Sequence, residues 1–233
     1  MGPYGFWLFD LDGTLVDVEW SHVRSVFDEV GERLGRRFSN REAAAIWHGF
    51  AGDRNDVLEG FGVETEQFWE VFHDVEDPIR RAEATVLYED ARHVAAIDEP
   101  VGIVTHCQSY LTEAVLDRTG IGDWCDVVVC CDDDLGWKPD PTPVERAMDE
   151  LGVTTAEHGA LVGDGPHDVG AAWNANLDGI HVERHGHDRR GCCVLADSRV
   201  RTISDIDGIG GPPVASDGGF AVGCETIRTP PIP

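Results

Sequence analysis

Apolar and polar positions alternate with two different periods along this chain. Residues 6–9 form a short apolar run that ends at Asp10, the pattern of a buried strand. From 20 to about 87 the pattern turns helical. Val23, Val26, Phe27, Val30 and Leu34 fall on one helical stripe, and Asn40-Arg41-Glu42 opens a second helix. Two more helices are predicted over 53–59 and 64–75, and the block carries no strand signal. It is expected to be an all-helical insertion. The remainder alternates. Strands are predicted over 101–105, 127–131, 160–162 and 180–182, with helices over 109–118, 143–151 and 168–175. Strands alternating with helices imply a parallel sheet covered on both faces. The expected fold is α/β: a Rossmann-like core over 1–17 and 88–207, a helical cap over 18–87, and a Gly- and Pro-rich tail over 208–233. That tail is read as loosely ordered or as an edge hairpin around 220–224. There are no internal repeats.

Composition narrows the setting. The 233 residues carry 44 acidic side chains against 18 basic ones, a formal net charge of -26. Of the 18, only Lys138 is a lysine. Phosphate backbones would be repelled, which excludes nucleic acid as a partner. A strongly acidic coat with almost no lysine suits concentrated salt, where the Debye length falls to roughly 3 Å and self-repulsion is screened. This implies a cytoplasmic protein of a salt-loving organism. No apolar run reaches a membrane span, and because the start of the sequence goes straight into the first strand no signal peptide is expected. The seven cysteines are odd in number and include the adjacent pairs Cys130-Cys131 and Cys192-Cys193, so reduced thiols are expected. The oligomeric state is left open.

In an open parallel sheet, sites form at the carboxyl ends of the strands. Asp10 and Asp12 follow the first predicted strand, and Thr105 closes the second. Lys138 lies on the loop after the third, and Asp164 and Asp168 follow the fourth. A lone aspartate at a strand end is usually a cap or turn residue. Four successive ends bearing carboxylates, a hydroxyl and the only lysine point instead to phosphoryl transfer. Three carboxylates suit a Mg2+ site. Asp10 can act as a carboxylate nucleophile, and Asp12, two residues on and on the same strand face, as general acid and then base. Gly13 and Thr14 would turn backbone N–H groups toward the phosphoryl oxygens. Thr105 and Lys138 would hold those oxygens and offset their charge.

The same residues resemble the haloacid dehalogenase superfamily of phosphohydrolases, over roughly residues 5–184. Asp10-Leu11-Asp12-Gly13-Thr14-Leu15-Val16-Asp17 is a highly specific signature, strengthened by Lys138-Pro139-Asp140-Pro141 and by Gly163-Asp164 with Asp168. The resemblance implies a helical cap inserted after the first strand. It also implies Asp10 as nucleophile, Asp12 as acid/base, and Mg2+ held by Asp10, the Asp12 carbonyl and Asp164, with Asp168 supporting the metal site and Lys138. Having Asp12 favours phosphate esters over halides. A cap without lysine excludes Schiff-base chemistry. One position departs: Thr105-His106 stands where members with this cap often carry Ser/Thr-Asn, so His106 is expected either to touch substrate or to face solvent. Arg54, placed in a loop between cap helices, is the cap residue expected near substrate, and it suits a small phosphorylated metabolite of phosphoglycolate type. Two other functions remain as alternatives: a non-catalytic phosphoacceptor, and a metal-binding module built on His181, His185, His187, Cys192 and Cys193. Trp20, Trp47, Trp69 and Phe72 are read as cap core or cap–core interface.

Overall fold

The computed structural model describes residues 4–50, 52–185 and 193–209. Six parallel strands form one sheet in the order β5-β4-β1-β6-β7-β8. They are β1 (Phe6–Phe9), β4 (Val101–Thr105), β5 (Val127–Cys130), β6 (Gly159–Gly163), β7 (Asp178–Val182) and β8 (Ser198–Val200). Strand β1 is central. Trp7, Leu8 and Phe9 face Val101, Gly102 and Ile103 of β4 on one side, and Phe6 to Phe9 face Gly159 to Val162 of β6 on the other.

Every residue of β1 is buried, because the sheet is covered on both faces. Trp7 and Phe9 join one apolar cluster with Leu11, Ile103, Val115 and Val162. Phe6 and Leu8 join the opposite cluster with Val104, Val144 and Leu161. The covering helices are α6 (Ser109–Thr119), α7 (Thr142–Leu151) and α8 (Pro166–Asn174). The close approach of Phe6 to the sheet needs Gly159: a Cβ there would lie 2.0 Å from the Phe6 ring.

Among the described residues five α-helices intervene between β1 and β4: α1 (Trp20–Leu34), α2 (Asn40–Trp47), α3 (Arg54–Gly60), α4 (Thr65–Val75) and α5 (Pro78–Glu83), followed by a 3-10 helix over Glu89–Ala96. The predicted stripe on α1 is buried at Val23, Val26, Phe27 and Val30, and it meets Phe38, Ile46, Leu58, Phe68 and Phe72 in a separate apolar core. A reciprocal Ser39–Glu42 capping box starts α2 at the predicted place.

The block is not wholly helical. Strand β2 (Val16–Val18) pairs antiparallel with β3 (Thr85–Leu87), a two-stranded ribbon at the foot of the helices. Its strands are three residues long and their partners lie about 70 positions apart, so neither has a local periodic signal. Helix α5 also went unpredicted. It is six residues long, begins at Pro78 and is capped by the Asp77 carboxylate. Strand β8 is equally short. The tail hairpin expected around 220–224 lies outside the described residues. Among the described residues no helix is long and apolar enough to cross a membrane.

Phe68 is fully buried among Phe27, Phe38, Trp69 and Phe72. Phe68→Ala is expected to lower stability by about 3–5 kcal/mol, read by chemical denaturation in high salt. A loss under about 1 kcal/mol would contradict a packed helical core.

Candidate active site

The strand-end residues meet at the carboxyl edge of the sheet. The backbone N–H of Asp10 donates to the Val162 carbonyl at 2.9 Å, which fixes Asp10 between β1 and β6. The Lys138 side chain is buried, and its ammonium donates three hydrogen bonds. They go to Asp10 Oδ1 at 2.7 Å, Asp168 Oδ1 at 2.7 Å and the Val104 carbonyl at 2.8 Å. Burial opposes the Lys138 charge, but Asp10 and Asp168 outweigh it and hold the pKa above the usual lysine range. Burial pushes Asp10 upward; the Lys138 charge opposes that shift and the Asp168 charge adds to it.

Asp10, Asp164 and Asp168 each place a carboxylate oxygen within 4.8 Å of the other two. All three are buried. One ammonium against three carboxylates in a low-dielectric site leaves an excess of negative charge, the setting in which a divalent cation fits. Among the described residues this is the one such group found. Both Asp168 oxygens are in use: Oδ1 accepts from Lys138 and Oδ2 from the Gly165 N–H at 2.9 Å. Gly163 permits this closeness, since a Cβ there would come within 2.2 Å of Asp168 Cγ.

The turn after β1 differs from expectation in two ways. Strand pairing stops at Phe9, so Asp12 reaches the site from a turn, bridged to Val16, and not from a strand face. The N–H groups of Gly13 and Thr14 do not stand ready for an anion. They donate to the Val16 carbonyl at 2.7 Å and the Leu11 carbonyl at 3.3 Å. Gly13 adopts φ +80°, and a Cβ there would lie 2.9 Å from the Asp164 carboxylate, so both conformation and space require glycine. The Thr14 hydroxyl donates to Asp10 Oδ2 at 3.2 Å. Thr105 closes β4 fully buried, its hydroxyl accepting from the Cys107 N–H at 3.0 Å.

Above this edge lies a cavity of about 1000 Å³ between the sheet and the helices. Asp10, Asp12, Gly13, Thr105, Lys138 and Asp164 line the sheet side; Trp47, Arg54, Trp69, Phe72, Glu76 and Arg81 line the helical side. Arg54 opens α3 and is not in a loop, because the Asp53 carboxylate caps that helix by accepting from the Asn55 and Asp56 N–H groups. Its Nε and Nη2 donate to the Ile46 and Trp47 carbonyls at 3.1 and 3.2 Å, which ties it to the end of α2. His106 is half-buried. It lies on the cavity wall, edge-on to Trp137 at 5.5 Å. Burial lowers its pKa well below the usual value, helped by the charge of Lys138 and Arg54.

Sequence reasoning missed Arg81. This α5 side chain is 2% exposed and pairs with the Asp12 carboxylate; it donates to Thr85 Oγ1 at 3.1 Å and lies 5.6 Å from the Trp47 ring. Its one signal is position: it falls on the inward face of a helix too short to show a period. Glu76 was missed as well. Burial raises its carboxyl to about 7, while Arg81 pulls it down. In the candidate His/Cys metal segment, His181 is buried in β7. His185 packs against the rings of His48 and Phe50 at 4.8 and 4.9 Å, and Cys193 is exposed. His187 and Cys192 lie outside the described residues.

Glu76 gives a pH prediction. Its folded pKa lies above the unfolded one, so the fold favours the protonated form. That stabilisation is complete below about pH 4.5 and is lost as pH rises through about 7. Glu76→Gln removes the titration. Its stability relative to the parent should rise between pH 5 and pH 8, by up to about 3 kcal/mol, measured by denaturant unfolding. A gap that does not change with pH would contradict the burial of this carboxyl.

Comparison with known proteins agrees with this geometry. Residues 7–182 match the haloacid dehalogenase-like hydrolase family. Pyrophosphatase PpaX of Bacillus velezensis is 31% identical over 174 residues, covering 72% of this chain and 78% of that protein. Among solved structures, a Lactobacillus plantarum protein described provisionally as a phosphoglycolate phosphatase superposes with a TM-score of 0.72 at 23% identity, over 87% of this chain and 97% of its own. A phosphatase from Thermococcus onnurineus gives 0.58 at 24% identity, over 87% and 95%. The chain therefore belongs to the haloacid dehalogenase-like hydrolase family, as a member of its phosphatase type.

Proposed function

We propose that this chain is a Mg2+-dependent phosphohydrolase that cleaves a small phosphate monoester through a phosphoryl-aspartate at Asp10. One observation carries the reading: the Asp10 carboxylate is fixed at the sheet edge by Lys138 and Thr14, with Asp164 and Asp168 beside it. A carboxylate oxygen of Asp10 attacks phosphorus as the bond to the leaving oxygen breaks. Asp12 gives that oxygen its proton, then takes a proton from the water that attacks the phosphoryl group. The Asp10–phosphorus bond breaks in this second step, releasing inorganic phosphate and restoring the carboxylate.

Arg81 holds the Asp12 carboxylate at the mouth of the cavity, and its packing in the helical block ties the position of Asp12 to the seating of the cap. Lys138 keeps Asp10 and Asp168 apart and offsets charge as phosphorus is attacked. Asp10, Asp164 and the Asp12 carbonyl would hold Mg2+. Asp168, with both oxygens engaged, would orient the site from behind. Bound there, Mg2+ would neutralise phosphoryl and carboxylate charge. Thr105 would meet a phosphoryl oxygen. Pyrophosphate and phosphoglycolate belong to the names of relatives. The phosphoglycolate-like reading for this chain rests on Arg54, which lines the cavity and donates to the Ile46 and Trp47 carbonyls, neutral acceptors that leave its charge to meet an anionic leaving group. The acidic, lysine-poor composition supports work in concentrated salt and a cytoplasmic setting.

Hydrolysis of p-nitrophenyl phosphate is expected in molar KCl with Mg2+, stopped by EDTA and restored by added Mg2+. Asp10→Asn should lower kcat by at least about 10³-fold. A stable phosphoryl-protein without turnover, or no turnover across a broad phosphomonoester panel, would contradict the proposal.

Lys138→Arg keeps the charge but cannot present a compact ammonium to two carboxylates and a carbonyl. It should lower kcat by about 10²-fold or more, measured at saturating substrate. Near-normal kcat would remove Lys138 from the mechanism.

A further inference from the structure

The segment after β7, singled out above for its histidines, sends Arg184 to the signature turn. The Arg184 side chain is 7% exposed. Its Nε and Nη2 both donate to the Thr14 carbonyl, at 3.1 and 2.7 Å, and its Nη1 donates to Asp90 Oδ2 at 2.8 Å. The guanidinium carbon lies 4.0 Å from the centre of the Tyr88 ring. One planar group thus spends three donors and a face on fixed partners. These partners fall on both chain crossings between the core and the helical block. Thr14 lies on the outward crossing, two residues before β2. Tyr88 and Asp90 lie on the return, just after β3. The crossings are also tied to each other: the Tyr88 N–H donates to the Leu15 carbonyl at 3.1 Å, and the Tyr88 hydroxyl to Asp17 at 3.0 Å. Asp90 is anchored in turn, since its Oδ2 accepts from the Ile203 N–H at 2.6 Å.

Thr14 is fully buried, and its side chain meets the nucleophile. Its hydroxyl donates to Asp10 Oδ2 at 3.2 Å, while Lys138 holds Oδ1 at 2.7 Å. Lys138 is fixed by three acceptors of its own. The hydroxyl, by contrast, is only as well placed as the Thr14 backbone. Within the turn that backbone has a long bond, from the Thr14 N–H to the Leu11 carbonyl at 3.3 Å. The two charge-assisted bonds from Arg184 to the Thr14 carbonyl are the stronger hold. Arg184 itself is not among the residues lining the cavity, so any effect it has on turnover must pass through the turn.

We propose that Arg184 is a positioning residue for phosphoryl transfer. By clamping the Thr14 carbonyl it keeps the Thr14 hydroxyl on Asp10, and so sets the aim of the attacking carboxylate from outside the cavity. The proposal rests on the phosphatase reading and adds to it the residue that aims Asp10. A clamp that served the fold alone would lower stability and leave kcat per folded molecule where it was.

The test is a double-mutant cycle. Arg184→Met, Thr14→Val and the double variant are assayed with p-nitrophenyl phosphate in molar KCl with Mg2+, and kcat is referred to the folded fraction by circular dichroism. Methionine keeps the length of the side chain against Tyr88 but has no donor. Each single variant is expected to lower kcat at least about tenfold, with KM within about threefold of the unsubstituted chain. Both act through one hydroxyl, so the double variant should fall no more than about threefold below the lower single. A smaller loss of kcat in either single variant, a loss carried by KM, or losses that multiply overturns the positioning role. Beryllium fluoride, which caps an aimed carboxylate as a phosphoryl mimic, separates this role from the phosphatase reading. Titrated with Mg2+ present and followed by tryptophan fluorescence, it should bind Arg184→Met at least about tenfold more weakly than the unsubstituted chain. That difference without phosphomonoester turnover by the unsubstituted chain keeps the positioning role and overturns the phosphatase reading. A smaller difference overturns the role whatever the turnover. If Arg184→Met is unfolded, Arg184→Lys takes its place at the same thresholds, since it keeps the charge beside Asp90 but loses the planar fork.

Discussion

The ammonium of Lys138 has three protons, and the structure gives each a different acceptor: Asp10, Asp168 and the Val104 carbonyl. These belong to the ends of β1 and β4 and to the first turn of α8. A buried lysine is costly unless its charge is met and its donors are satisfied. Meeting both conditions here needs three chain segments, more than thirty residues apart from one another in sequence, brought to one point. The sheet order does that, because β1 lies between β4 and β6 and delivers their carboxyl ends together. The apolar strand interiors supply the driving force, and the lysine fixes what the strand ends must look like.

The converse constraint comes from the carboxylates. Lys138 offsets only part of the charge of Asp10, Asp164 and Asp168, and burial holds Asp10 above the usual carboxylate range. A site left negative in this way is receptive to a cation and, with it, to a phosphoryl group. The second carboxylate of the signature, Asp12, is handled differently. It leaves the sheet edge on a turn and pairs with Arg81 from the helical block. The nucleophile position is thus set by the core and the acid/base position by core and cap jointly. The β2–β3 ribbon joins the two parts next to that pair, since Thr85 of β3 accepts from Arg81.

Much of this was legible in the sequence because it is local. The alternation of buried strands with amphipathic helices named the sheet, and strand-end positions named Asp10, Asp12, Thr105, Lys138, Asp164 and Asp168. What was not legible depends on distant pairing or on short elements. The ribbon strands have three residues each, and α5 has six, too few to show a period. Arg81 therefore stayed hidden; Glu76, just past the end of the predicted helix α4, carries no periodic signal of its own, although both reach the cavity. Arg54 was visible as a cap cation, but its bonds to the Ile46 and Trp47 carbonyls follow from how α2 ends. The N–H groups of Gly13 and Thr14 were expected to face an anion. Instead the turn closes on itself through Val16 and Leu11, a detail of backbone geometry that residue type does not encode.

The central claim is that Asp10 carries the phosphoryl group during turnover. The most direct measurement is acid quenching of the protein during steady-state hydrolysis, followed by peptide mass analysis. The account predicts one phosphoryl group on the Asp10 carboxylate and none in Asp10→Asn. Steady turnover with no phosphoryl group on Asp10, or with the group on another side chain, would contradict it.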